Sequence, residues 1–302
     1  MWRDTMLPSD VHQAADLAWH PDFDHVLLAP PGCAKPRHTT IVTDSNRVPD
    51  YLYGSVLMLG NFDGLHVGHQ RLLDLARRTA ALMGAPVGVM SCEPHPRQFF
   101  NPELVGFRLS SIEAKTVCFG RLGIDMFFMP KFDRSFADLS PSEFVARILV
   151  RQLGVRSVVV GPDFCFGSAR AGDVSLLEQL GRAAGFTVLT VPEHTVSGER
   201  VSSTLVRRWM AAGLLDKVSA ALGDNWLLPA TVGVGGSLSF DAASLRPPHG
   251  AYDANVWTSS GDPIGRYRID LSDQSARLLT TVEKPFRCLL SGWENVAGTA
   301  TG

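Results

Sequence analysis

From residue 54 to about 191 the chain alternates short, unbroken apolar runs with longer amphipathic stretches. The runs are Ser55–Leu59, Pro86–Met90, Asp125–Met129, Ser157–Val160 and Phe186–Val191. Between them, residues 70–83, 111–122, 141–153 and 173–184 have the spacing of helices with one buried face. Strand-length runs without polar alternation mark strands buried on both sides, so the pattern predicts a parallel sheet covered by helices. Ligands of such sheets bind beyond the C-terminal ends of the strands. Beyond Asn225 the pattern changes to short strands, at residues 231–234, 251–257, 266–271 and 278–282, separated by Gly, Ser, Pro and Asp turns. That reads as a small antiparallel barrel or sandwich. Before residue 50 the signal is weaker: Val26–Ala29 and Ile41–Thr43 are strand-length, and Pro30-Pro31-Gly32 breaks the chain between them. The expected organisation is an N-terminal extension of unassigned role (1–50), an α/β domain (51–224) and a small β domain (225–302).

Composition narrows the classes. A chain of 302 residues is long for one domain and suits two, and 45 % hydrophobic with 19 % charged residues is ordinary for a globular protein. A net charge of −2 gives no basic footprint for nucleic acid. The five cysteines, Cys33, Cys92, Cys118, Cys165 and Cys288, form no Cys-x-x-Cys pair, which predicts free thiols in a reducing cytosol. Asp4, Asp10, His12 and Asp16 interrupt any signal-peptide core, and no apolar run has the length of a membrane span. A cytoplasmic protein without a membrane partner is expected. His20, His25 and His38 are isolated and read as ordinary surface or core histidines. Nothing in the sequence specifies an oligomeric state.

The chemistry concentrates in four loops, each after an apolar run. The first is Gly60-Asn61-Phe62-Asp63-Gly64-Leu65-His66-Val67-Gly68-His69-Gln70. Strand, glycine-rich turn and helix together aim backbone N–H groups at an anion, and His66 and His69, three apart, share one side of a helical turn. The second is Cys92-Glu93-Pro94-His95-Pro96, where prolines on both sides stiffen His95. The third is Gly161-Pro162-Asp163-Phe164-Cys165-Phe166-Gly167. The fourth is Ser202-Ser203-Thr204-Leu205-Val206-Arg207-Arg208. Its hydroxyls suit a helix N-cap or a phosphate, and Arg207 lies one turn later with a planar fork of donors.

His-Val-Gly-His resembles the His-x-Gly-His signature of the nucleotidyltransferase superfamily. The whole first loop resembles the FAD synthetase module of bacterial bifunctional riboflavin kinase/FAD synthetases. The Glu-Pro-His-Pro, Gly-x-Asp-Phe-x-Phe-Gly and Ser-Ser-Thr-x-x-Arg segments follow in that family's order, so the resemblance covers about residues 54–224. It implies a Rossmann-like α/β nucleotidyltransferase domain followed by a small antiparallel β-barrel-like domain. The implied reaction is adenylyl transfer, ATP + FMN → FAD + pyrophosphate. His66, His69 and Arg207 would be catalytic. Gly60, Asn61, Phe62, Asp63, Gly64, Gly68, Gly161, Ser202, Ser203 and Thr204 would bind the nucleotide. Glu93, His95, Asp163, Phe164 and Phe166 would bind the acceptor. Mg²⁺ is expected to arrive with ATP, held through substrate oxygens, and no residue is assigned as a metal ligand. Cys165 stands where the family often has arginine. Residues 225–302 resemble a degenerate riboflavin kinase module: Pro247-Pro248-His249-Gly250-Ala251-Tyr252 faintly matches, but the Thr and Asn expected near residues 233–240 are missing, so no kinase activity is expected. Two alternatives stay open: nucleotidyl transfer to another phosphorylated metabolite, and a non-catalytic nucleotide- or flavin-binding regulator.

Overall fold

The computed structural model describes residues 39–44, 47–192, 195–196, 199–272 and 275–296. Val26–Ala29, Cys33, His20, His25 and His38 lie outside them. The described chain forms two compact units that interleave in sequence. One takes the described residues up to Gly60, Arg71–Ser91 and Gly123–Pro192. The other takes Asn61–Gln70, Cys92–Leu122 and the described residues beyond Pro192.

The first unit is built on a six-stranded, wholly parallel sheet. Its strands are β1 (Thr40–Thr43), β2 (Val56–Leu59), β3 (Val87–Met90), β4 (Met126–Met129), β5 (Ser157–Val160) and β6 (Thr187–Thr190). They lie in the order β1-β4-β3-β2-β5-β6. Every residue of β2, β3 and β5 is buried, which is why these strands read as continuous apolar runs. The order reverses at β2, with β3 and β4 on one side and β5 and β6 on the other. Gly60 and Gly161 follow directly on the two strands at that switch point, where α/β sheets place their ligand crevices. Ile41–Thr43 was expected as a strand, and β1 extends the sheet beside β4.

The helices match the expected stretches, with informative differences. The first spans Val67–Met83, beginning three residues earlier than the apolar spacing predicts, so His69 lies inside its first turn. The stretch expected at 141–153 opens as Pro141–Glu143 with a Ser140/Glu143 capping box and continues as a π-helix, Phe144–Gln152. Asp173 caps Val174–Ala184 by accepting from Leu176 N at 2.8 Å, and Gly185, at φ 83°, ends it.

The second unit carries an antiparallel sheet of six strands: β9 (Leu228–Val232), β10 (Leu238–Phe240), β11 (Gly250–Thr258), β12 (Pro263–Leu271), β13 (Ala276–Leu278) and β14 (Phe286–Asn295). A two-stranded ribbon, β7 (Thr195–Val196) with β8 (Glu199–Arg200), precedes it. The order is β10-β9-β14-β11-β12-β13, and a bridge between Ser237 and Arg277 joins its two ends into a nearly closed barrel. Tyr252, Ala254 and Val256 alternate inward along β11 and share a core with Ile269, Leu271, Leu290 and Trp293. Helices Ser203–Ala211 and Leu215–Leu222 pack into the same core through Leu205, Val206, Trp209, Val218 and Leu222.

Three expectations for this unit need correction. The strand expected at 231–234 ends at Val232, because Gly235 and Gly236 take positive φ (73° and 82°) in a 3₁₀ turn. The run 278–282 is not a strand: β13 ends at Leu278 and the chain turns, with Thr280 N donating to Leu278 O at 2.9 Å. The central strand β14 was not anticipated. Cys288 to Ser291 are all buried, so alternation is absent, and Gly292 at φ 60° sits where the pairing with β11 shifts register.

Candidate active site

After β2 the chain must turn sharply to enter the Val67–Met83 helix. Phe62 takes a left-handed conformation (φ 44°), a strain of order 1–3 kcal/mol for a non-glycine residue. Burial of its ring against His69 (4.9 Å) and Phe119 (6.4 Å, edge-on) offsets that strain. Gly64 has φ +76°, and a Cβ there would press on Leu109 and Leu222 at 3.1–3.3 Å, so glycine is required twice over. His66 O accepts from His69 N (2.8 Å) and Gln70 N (3.1 Å), so the first turn hangs from His66. First-turn N–H groups of a helix lack intrahelical partners and favour anions.

The two imidazoles stack at 3.7 Å, 19° from parallel. His69 Nδ1 lies 2.8 Å from Gly64 O. A carbonyl only accepts, so Nδ1 carries the proton and Nε2 is left for a ligand. His66 Nδ1 is buried with no hydrogen-bond partner among the described residues. A Cβ at Gly68 would stand 3.1 Å from that nitrogen, so glycine keeps this edge of the ring clear.

Asp63, 1 % exposed, organises the loop. Its Oδ1 accepts from Ser110 N (2.9 Å), its Oδ2 pairs with Arg207, and its carbonyl accepts from Ser203 Oγ (2.7 Å). Arg207 Nε donates to Phe107 O at 2.7 Å, and Ser110 Oγ accepts from Gly64 N at 3.1 Å. Ser202 caps the Ser203–Ala211 helix by accepting from Leu205 N, while Thr204 is exposed on its first turn. The Ser-Ser-Thr and Arg207 segment is thus tied to the glycine-rich loop through Asp63.

A second polar cluster lies in the same unit. Arg108 clamps Glu93 with two hydrogen bonds (2.8 and 2.6 Å), and Lys115 reaches Glu93 Oε1 at 3.3 Å and Asn61 O at 2.9 Å. Burial disfavours the Glu93 charge, but the Arg108 hydrogen bond and the Lys115 and Arg108 charges outweigh it and hold the carboxyl below its usual range. The Glu93–Pro94 peptide is cis. His95 accepts from Arg97 N on Nδ1 (3.1 Å) and meets the Phe107 ring edge-on at 5.3 Å. The barrel braces this region: Gly106 N and Arg108 N donate to Ala242 O and Ala243 O (both 3.0 Å), and Leu245 N donates to Arg108 O (2.8 Å). Arg287 of β14 pairs with Glu113 at 2.6 Å.

Burial is the main cause that lowers the three histidines, His66 to about 2 and His69 and His95 to about 4. Neighbouring cations add to it, Arg200 at His66, Lys115 at His69, and Lys115, Arg108 and Arg207 at His95, while the Asp63 carboxylate opposes it at His69 and His95. All three rings are therefore neutral at pH 7. In the unfolded chain they titrate near 6.5, so below that pH the unfolded state binds more protons and stability falls. We expect the melting temperature to drop as pH goes from 7.5 towards 4, with Glu93 adding to the loss below its unfolded pKa near 4.5. The check is differential scanning calorimetry; a His69→Gln variant should show a shallower pH slope.

The structure thus brings together Asn61, Phe62, Asp63, Gly64, His66, Gly68, His69, Glu93, His95, Ser202, Ser203, Thr204 and Arg207 in the second unit. Gly60, Gly161, Asp163, Phe164 and Phe166 belong to the first. There Phe164 and Phe166 stack at 5.9 Å, Phe166 is buried and pairs with Gly172, and Asp163 is exposed. The residues missed from sequence are Phe107, Arg108, Ser110 and Lys115. Lys115 left a signal: it shares the buried face of its helix with Ala114, Cys118 and Phe119. Cys118, Cys165 and Cys288 form no disulfide among the described residues. Among the described residues no group of three or more His, Cys, Asp or Glu side chains could hold a metal ion, and no helix is long and apolar enough to cross a membrane.

The sequence profile of FAD synthetase matches residues 48–205. A bifunctional riboflavin kinase/FMN adenylyltransferase of Pseudomonas fluorescens is 42 % identical over 170 residues, 56 % of this chain and 54 % of that protein. The chain thus spans about half the length of that relative. The protein of the same description from Escherichia coli K12 is 35 % identical over 221 residues, 70 % of this chain and 71 % of that one. A solved structure, described as a macrolide-efflux protein from Streptococcus pneumoniae, superimposes with a TM-score of 0.73 at 19 % identity, covering 87 % of this chain and 93 % of the other. At that identity the likeness is one of fold.

Proposed function

Because this chain belongs to the FAD synthetase family, we propose that it transfers the adenylyl group of ATP to FMN, giving FAD and pyrophosphate. The observation that carries this reading is the stacked, neutral pair His66 and His69 at a helix N-terminus, tied through Asp63 to Arg207 and Ser203. An FMN phosphate oxygen forms a bond to the α-phosphorus as the bond from that phosphorus to the pyrophosphate oxygen breaks. The nucleophile is already an anion, so no side chain need remove a proton from it. What the protein supplies is alignment and neutralisation of charge on the departing pyrophosphate.

His66 and His69 are placed on the ATP phosphates. An arriving polyphosphate favours their protonated forms, opposing the burial that lowers them, so each becomes a charged donor when charge develops. Asn61, Gly64 and Gly68 shape the loop around the nucleotide. Thr204 and the first-turn N–H groups beside it face the β- and γ-phosphates together with Arg207. Mg²⁺ enters as part of the MgATP substrate, held by phosphate oxygens. Gly161, Asp163, Phe164 and Phe166 keep their assignment to the nucleotide and acceptor, which rests on the resemblance of their segment.

Residues 51–224 would carry this chemistry, and residues 225–302 would be a riboflavin kinase module without kinase chemistry. The support for the latter is local: residues 233–240 form a glycine turn and a three-residue edge strand, with no threonine or asparagine. Mass spectrometry of products from ATP plus FMN, with riboflavin in parallel, should find FAD and pyrophosphate from FMN and no FMN from riboflavin. No FAD, with a nucleotidylated product from another phosphorylated acceptor, would move the assignment to that acceptor.

A further inference from the structure

Lys115 is a charged side chain with no solvent exposure, seated on the apolar face of the Ile112–Arg121 helix. Burying a lysine is costly unless its charge is met, and Glu93 Oε1 at 3.3 Å and Asn61 O at 2.9 Å are among the groups that meet it. The second contact is the informative one. Asn61 precedes the strained Phe62, and the loop then runs through Asp63 and Gly64 to His66. A cation fixed on the Asn61 carbonyl therefore sets the point from which the loop departs.

Glu93 completes the device. Arg108 takes both of its oxygens, and Arg108 Nη2 also lies 3.4 Å from Ser110 O. Ser110 in turn holds Asp63 Oδ1 through its N–H and Gly64 N through its hydroxyl. From Lys115 two routes lead to the same loop, one direct through Asn61 and one through Glu93, Arg108 and Ser110. The Lys115 charge also acts on the histidines of the site: at His69 and His95 it adds to the effect of burial.

We propose that Lys115 is a positioning residue for adenylyl transfer: it holds the Asn61–His66 loop in the geometry that presents His66 and His69 to the triphosphate. The assignment to this reaction rests on the function proposed above. A merely structural lysine would behave differently when replaced. Lys115→Met keeps the stem and removes only the charge, and Glu93 stays paired with Arg108 through two hydrogen bonds, so no carboxylate is left uncompensated. Misplacement of a catalytic loop by about 1 Å costs on the order of 10²-fold in rate.

The test is Lys115→Met in the full chain, with three measurements. Turnover of ATP plus FMN should fall about 10- to 100-fold while KM for ATP stays within about threefold, the pattern of lost alignment. The melting temperature should fall by no more than about 5 °C, because Glu93 remains paired with Arg108. In two-dimensional NMR of the ligand-free protein, the Gly64 amide and His69 ring signals should move while the Val256 amide stays. Turnover within twofold of wild type, or unmoved Gly64 and His69 signals, would overturn the proposal. If wild type itself makes no FAD, the function assignment fails, and the NMR comparison still decides whether Lys115 positions the loop.

Discussion

His66→Ala and His69→Ala should each lower FAD formation from ATP and FMN by two to three orders of magnitude, with secondary structure unchanged. The size follows from what a preorganised donor contributes at a site of developing charge: removal of one such donor elsewhere costs about 10²–10³ in kcat. His69 Nδ1 is committed to Gly64 O, so its ring cannot rotate away, and Nε2 is oriented before substrate arrives. His66 is held by burial and by stacking on His69. The two effects should be less than additive, because each ring orients the other across 3.7 Å. Steady-state kinetics of both single variants and the double variant, with circular dichroism as the fold control, make the comparison. Wild-type rates from both single variants would remove the histidines from the mechanism. A rise in KM for ATP with kcat unchanged would reduce their role to uniform substrate binding.

The parallel sheet was legible because burial on both faces leaves a simple mark, a run of apolar residues of strand length. β2, β3 and β5 are buried throughout, and no other local structure explains such runs between helices. The barrel was only half legible. Period-two alternation marks β11, where Tyr252, Ala254 and Val256 face inward, but it fails in β14, where Cys288 to Ser291 are all buried before the turn in backbone at Gly292. The histidine pair, the glycines and Arg207 were singled out by segments that resemble the family's motifs, and the structure places His66, His69 and Arg207 in one unit. Ser110 and Lys115 act on backbone carbonyls and N–H groups far along the chain, 46 residues apart for Ser110 and Gly64 and 54 for Lys115 and Asn61. A contact to a carbonyl leaves no trace in the identity of the residue that owns it. What did remain was the lysine on an apolar helix face.

Asp63→Asn should both destabilise the protein and lower its activity, and a second substitution separates the two effects. Asparagine keeps the size of the side chain and can still accept from Ser110 N, but it removes the charge that faces Arg207. Removing one partner of a buried pair costs about 3–5 kcal/mol, because the remaining charge is left uncompensated. Arg207 keeps some solvent contact, at 16 % exposure, so the low end applies, about 3 kcal/mol and roughly 6–12 °C in melting temperature. Adding Arg207→Met removes the stranded guanidinium, so the double variant should recover a good part of that loss. Activity should not return with it, since the proposed phosphate contact of Arg207 goes too. Recovery of stability without recovery of FAD formation would place Arg207 on the substrate as well as on the loop. Recovery of both would mean that its whole contribution runs through Asp63, a ligand of the protein's own backbone geometry and not of ATP.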